Sequence, residues 1–184
     1  MSCSVGSSRR TLRILLALLT LAAAPAAAKV FLSVDEALKL AFPDSQVERK
    51  TAYLTKEQVR RARELSGVEV RSALVTYHVA RRAGRPAGTA YFDTHRVRTL
   101  PETLMIVVDP QGRVVRIEVI AFREPEEYLP RGAWYEQFRG HGLDRELRLK
   151  QGIRPVTGAT LTARATTDAV RRVLALHRVI GGAQ

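Results

Sequence analysis

The feature that leaves this chain least freedom is a pair of apolar runs joined by a tight turn. Leu104-Met105-Ile106-Val107-Val108 and Val114-Val115-Arg116-Ile117-Glu118-Val119-Ile120 flank Asp109-Pro110-Gln111-Gly112. Asp at the first turn position, Pro at the second and Gly at the fourth are type I preferences, and the runs are rich in β-branched residues. Strands joined this closely can only pair antiparallel. An antiparallel sheet is therefore built into the sequence.

The surrounding patterns supply helices. Ser33-Val34-Asp35-Glu36 and Thr55-Lys56-Glu57-Gln58 are capping boxes, the first opening a helix to about Phe42 and the second a helix to Ser66 with Gly67 as its stop. Between them, residues 47–54 read as a short strand. From Arg71 the period becomes two, with Leu74, Thr76, His78 and Ala80 alternating against Val75, Tyr77 and Val79. A turn over residues 83–88 leads to another strand ending at Phe92. A short helix is expected near residues 133–138, closed by Gly140. A long one is expected over residues 162–180, with Ala169, Val170, Val173, Leu174, His177 and Ile180 as its inner stripe. Asp168 and Arg172 on that helix read as an exposed i,i+4 pair worth a few tenths of a kcal/mol. Helices at both ends of a run of strands predict an α+β fold, an antiparallel β-sheet flanked by helices. No linker or repeat divides residues 29–184; a 29–70 N-terminal helical segment precedes the main body, 71–184.

Residues 1–28 read as a signal peptide. Arg9, Arg10 and Arg13 precede an apolar run from Ile14 to Ala24, and Ala26-Ala27-Ala28 offers a cleavage site. The run is short for a membrane span, which needs ~20 residues. Ser8-Arg9-Arg10-Thr11-Leu12 partly matches a twin-arginine signal, so either export route is compatible. The expected location is periplasmic or otherwise extracytoplasmic. The formal charge of +12 falls to +9 without residues 1–28, and basic residues are 25 Arg to 5 Lys. No nucleic-acid-binding signature accompanies this charge, so attraction of anionic ligands or acidic partners is the better reading. The one cysteine is Cys3; beyond the signal there is no thiol for thiolate metal sites, cysteine nucleophiles or dithiol chemistry.

Hydrolase, P-loop, dinucleotide-binding and zinc-protease signatures are all missing. His78, His95, His141 and His177 lie in separate elements without ligand spacing, which argues against a metal site. Glu124, Glu126 and Glu127 suit a solvated loop. What remains is Arg154-Pro155-Val156-Thr157-Gly158-Ala159-Thr160-Leu161-Thr162 at the start of the long helix. Small residues there let backbone approach a ligand, and the free N–H groups of a first helical turn attract anions. The same residues also suit a plain cap by Thr160 or Thr162.

The string Thr157-Gly158-Ala159-Thr160-Leu161-Thr162, followed by an alanine-rich amphipathic helix, resembles the FMN-binding domain of extracytoplasmic electron carriers. That family includes the G subunit of the Rnf complex and the C subunit of the sodium-translocating NADH:quinone reductase. The resemblance spans about residues 87–180 and includes the hairpin, Glu124-Pro125, and Trp134 through Gln137-Phe138-Arg139-Gly140. It implies that residues 71–184 are the FMN-binding domain. It implies FMN held through a phosphoester at Thr160, with Thr157, Gly158, Ala159, Thr162 and Glu124 as further cofactor-binding residues. A separate flavin transferase would install the bond, and its pattern carries Asp six residues before the attachment threonine, where this chain has Arg154. The resemblance further implies an electron-transfer flavoprotein rather than a substrate-converting oxidoreductase. Membrane-bound or periplasmic electron-transfer proteins would be its partners. A periplasmic anion-binding or protein-interaction module without a redox cofactor is the alternative. Trp134, Tyr135 and Phe138 suit either the core or a flavin ring.

Overall fold

The computed structural model describes residues 29–181, so the predicted signal peptide lies outside the described residues. The elements follow in the order β1 (Lys29–Val30), α1 (Val34–Ala41), β2 (Gln46–Tyr53), α2 (Lys56–Ser66), β3 (Leu74–Arg82), β4 (Arg85–Arg96), β5 (Pro101–Val108), β6 (Val114–Phe122), α3 (Gly132–Tyr135) and α4 (Thr160–Ile180). Six strands form one sheet in the order β1-β6-β5-β4-β3-β2, with antiparallel neighbours throughout. The fold is α+β, as the hairpin and its flanking helices predict.

Both capping boxes form: Ser33 and Thr55 each accept from the third helical N–H, and Glu36 and Gln58 reach back to the cap backbone. Gly67 ends α2 in the left-handed region. The central hairpin closes through Gly112 N–H to Asp109 O at 3.0 Å. Asp109 Oδ1 accepts from Gln111 and Arg113 N–H.

Residues 104–108 of β5 read as an unbroken apolar run because both faces of the strand are covered there. Leu104, Ile106 and Val108 face the core built by α2 and α4, while Met105 and Val107 face Phe42, Ala37 and Leu38 of the α1 side. The sheet is thus the middle of three layers. β2, at the far edge, has neither face fully covered and is mostly exposed.

Two local expectations need correction. The β3–β4 connection is only Ala83-Gly84, both at positive φ (49° and 75°), the geometry of a two-residue hairpin turn. Residues 85–88, expected as turn, therefore pair with β3, and β4 continues past Phe92 to Arg96. Helix α4 begins at Thr160 rather than Thr162, because Ala163 N–H already bonds Ala159 O.

Candidate functional site

The start of α4 differs from the capped starts of α1 and α2. Its cap residue, Ala159, has no side chain that can accept a hydrogen bond, and neither threonine takes over that role. Thr160 Oγ1 donates to Val156 O at 3.2 Å, and Thr162 Oγ1 donates to Tyr128 O at 2.6 Å. The N–H groups of Thr160, Leu161 and Thr162 precede the first intrahelical bond and lie at the positive end of the helix dipole. A chain bend brings Gly158 to φ +82°, with open space where a Cβ would stand. Only a glycine adopts that backbone without strain while leaving the space clear.

This corner borders a cavity of about 190 Å³. Gly158, Ala159, Thr160, Leu161 and Thr162 form one side, and Arg98 and Tyr128 the other. Arg98 stacks over the Tyr128 ring at 4.6 Å, a cation–π contact that leaves its charge beside the helix start. Thr160 is exposed, so its hydroxyl is accessible; Thr162 is buried and ties α4 to the loop after β6.

The remaining predicted residues take different places. Thr157 is exposed in the bend and is not among the cavity's lining residues. Glu124 is buried and does not line the cavity either. Its Oε1 accepts from the backbone N–H groups of Arg98, Thr99 and Leu100 at 3.1, 2.7 and 2.7 Å. Burial pushes its carboxyl up, but those three donors outweigh burial and hold it below the usual range. Glu124 therefore acts through the loop that presents Arg98.

The segment ahead of Thr160 is anchored to α3 and the turn that follows it. Trp134 Nε1 donates to Arg154 O at 2.7 Å, and Gln137 Oε1 accepts from Arg154 N and Nε. Tyr135 and Phe138 are core, and Trp134 packs edge-on against both. These aromatics brace the loop that carries the site.

Sequence reasoning missed Arg98 and Tyr128, which only the folded chain brings to Thr160. It also missed a buried ionic chain. His95 Nδ1 lies 2.9 Å from Asp93 Oδ1 and Nε2 lies 3.0 Å from Glu102 Oε2. Arg172 donates to both oxygens of Asp93, so the exposed Asp168–Arg172 pair expected from spacing gives way to a largely buried Arg172–Asp93 pair. Burial alone would lower the imidazole, but the two carboxylates outweigh it and raise His95 to about 9. The Asp93-x-His95 alternation was the available signal, since period two places both on one face of β4.

An exposed hydroxyl, unbonded N–H groups at a helix start, a left-handed glycine and an adjacent arginine have the chemistry that suits a phosphate-bearing ligand. Residues 100–175 match the family model described as FMN-binding domain, and the chain carries that domain. FMN is its cofactor, and the residues present fit it: Gly158 leaves the space a Cβ would occupy, and every donor at the corner suits a phosphate. No curated protein and no solved structure matches the chain. The match runs from the start of β5 into α4, leaving Asp93 and His95 before it.

Proposed function

We propose that this flavin-binding protein is an extracytoplasmic electron carrier whose FMN is tethered through its phosphate to Thr160. The observation that carries the reading is the accessible Thr160 hydroxyl on the first residue of an uncapped helix, facing the cavity that Arg98 and Gly158 complete. When bound, FMN supplies the redox chemistry, and the protein supplies orientation and electrostatics.

Each residue then has a role at a stated atom. Thr160 would hold the flavin through a phosphoester at Oγ1, the exposed hydroxyl that otherwise donates to Val156 O, with the bond installed by a separate flavin transferase. The N–H groups of Thr160, Leu161 and Thr162 and the Arg98 guanidinium would hold the phosphate oxygens. Glu124 keeps Arg98 in position, while Trp134 and Gln137 hold the approach segment. A covalent bond suits a protein outside the cytoplasm, where a dissociating flavin would be lost by dilution. The +9 charge of residues 29–184 favours acidic electron-transfer partners, with an attraction that weakens as salt rises. A flavin transferase is the maturation partner.

Co-expression with a flavin transferase followed by a denaturing gel tests the reading. The wild-type band fluoresces, and Thr160→Ala abolishes the fluorescence with the fold retained. A dark wild-type band, or a fluorescent variant, contradicts it.

A further inference from the structure

A second cavity, a groove of about 520 Å³, opens beside the phosphate corner, within the range of small-molecule sites. Leu161 lines both cavities. One wall is α4, and the opposite wall comes from β3, β4 and the segment after α2. Along α4, Thr160, Arg164, Asp168 and Arg172 stand four residues apart, a stripe rising about 6 Å per step. The last three line the groove, so it follows the helix upward from the phosphate-binding hydroxyl.

The lining suits a flat, amphipathic ring. Val75, Leu161, Ala165, Val173 and Leu176 supply apolar surface, and Leu161 is 48% exposed although it is a leucine beside a cavity. The charged floor is built from Asp93, His95 and Arg172. Glu102, the other partner of His95, is fully buried behind them and is not part of the lining. With Arg71, Arg96 and Arg164 as further cations and Glu69 and Asp168 as further anions, the cations of the groove outnumber its acids. The groups around His95 come from every packed element: Asp93 on its own strand, Glu102 on β5, and Arg172 and Asp168 on α4. Tyr135 of α3 and Thr166 of α4 donate to Glu102 at 3.5 and 3.3 Å and hold it in place.

We propose that this groove seats the isoalloxazine ring of the flavin tethered at Thr160, and that the excess of cations in its lining, with His95 and Arg172 as positioning residues, favours the reduced, anionic form. The proposal rests on the Thr160 reading above. Reduction to that form takes up two electrons and one proton, supplied in a titration by dithionite and solvent. Asp93 keeps both cations in register, because it is shared between them. The bonds from Asp93 and Glu102 keep His95 charged through neutral pH. Glu102 and Asp93 occupy both imidazole nitrogens, so His95 contributes charge and does not hand a proton to the ring.

The test uses the protein co-expressed with its transferase. Ala165→Trp fills the groove, and Arg164→Glu reverses a charge on its exposed wall without disturbing the core. Both variants keep covalent flavin in a denaturing gel. Ala165→Trp loses most of the visible circular dichroism of the seated flavin. Arg164→Glu and His95→Gln tilt the flavin about tenfold toward its oxidised form at a fixed poise, a fall near 30 mV for two electrons. Flavin attached but unchanged in dichroism and potential across all three variants overturns the groove assignment and leaves the tether standing. A wild-type gel without bound flavin overturns the tether, and the groove assignment with it.

Discussion

Arg172 donates Nη2 to Asp93 Oδ1 at 2.7 Å and Nε to Asp93 Oδ2 at 2.9 Å, joining the middle of α4 to β4 through a bidentate pair. The pair is mostly buried, with 17% and 12% of its side chains exposed. Removing one partner leaves the other charged and desolvated, which costs roughly 3–5 kcal/mol. Arg172→Leu should lower unfolding stability by about 3 kcal/mol, whereas Arg164→Leu on the exposed wall should stay within about 0.5 kcal/mol. Urea unfolding of the two variants side by side checks the contrast.

Two histidines should make stability depend on pH in opposite senses. His95 is raised to about 9 in the folded state. Its contribution is therefore complete below about 6.5, the unfolded value, and is lost as pH rises through 9. Burial lowers His177, which pairs with Tyr91 OH at 3.0 Å. Its contribution is therefore lost as pH falls below about 6.5. Melting temperature against pH should fall on both sides of neutrality. His95→Gln should flatten the alkaline limb and leave the acid limb unchanged.

Gly158 separates backbone strain from ligand fit. At φ +82° an alanine costs roughly 1–2 kcal/mol in backbone conformation. Nothing in the protein meets the added Cβ, so that is the whole cost without flavin. Gly158→Ala should lose about 1 kcal/mol of stability and a much larger share of its FMN incorporation. Unfolding curves and the visible absorbance per protein read the two effects separately.

Much of this architecture was legible because local chemistry decided it. The Asp109–Gly112 turn, the Ser33 and Thr55 capping boxes and the Gly67 stop need only neighbouring residues, and each appears where the pattern places it. The Thr157–Thr162 string was visible for the same reason. What escaped depended on distance in the chain. Arg98 meets the helix start because Glu124 organises its loop from 26 residues away. Arg172 abandons its helical neighbour for Asp93, which lies 79 residues earlier. Pro86 and Gly88 resemble turn residues, whereas positive φ at Ala83 and Gly84 closes the β3–β4 hairpin sooner.

Arg154 stands where the transferase pattern carries Asp, and the structure shows that its side chain makes one exposed bond to Gln137, while its backbone N–H makes another. Asp at this position keeps the backbone bond. Arg154→Asp should therefore preserve the fold and raise flavin incorporation by the transferase. Timed in-gel fluorescence of both proteins measures it; equal rates would show that this position does not limit recognition.

The proposed tether is tested most directly by the intact mass of protein matured together with a flavin transferase. The expected mass is that of the polypeptide plus one FMN less one water, with the added mass located to the peptide containing Thr160. A bare polypeptide mass, or flavin on a peptide lacking Thr160, would contradict it.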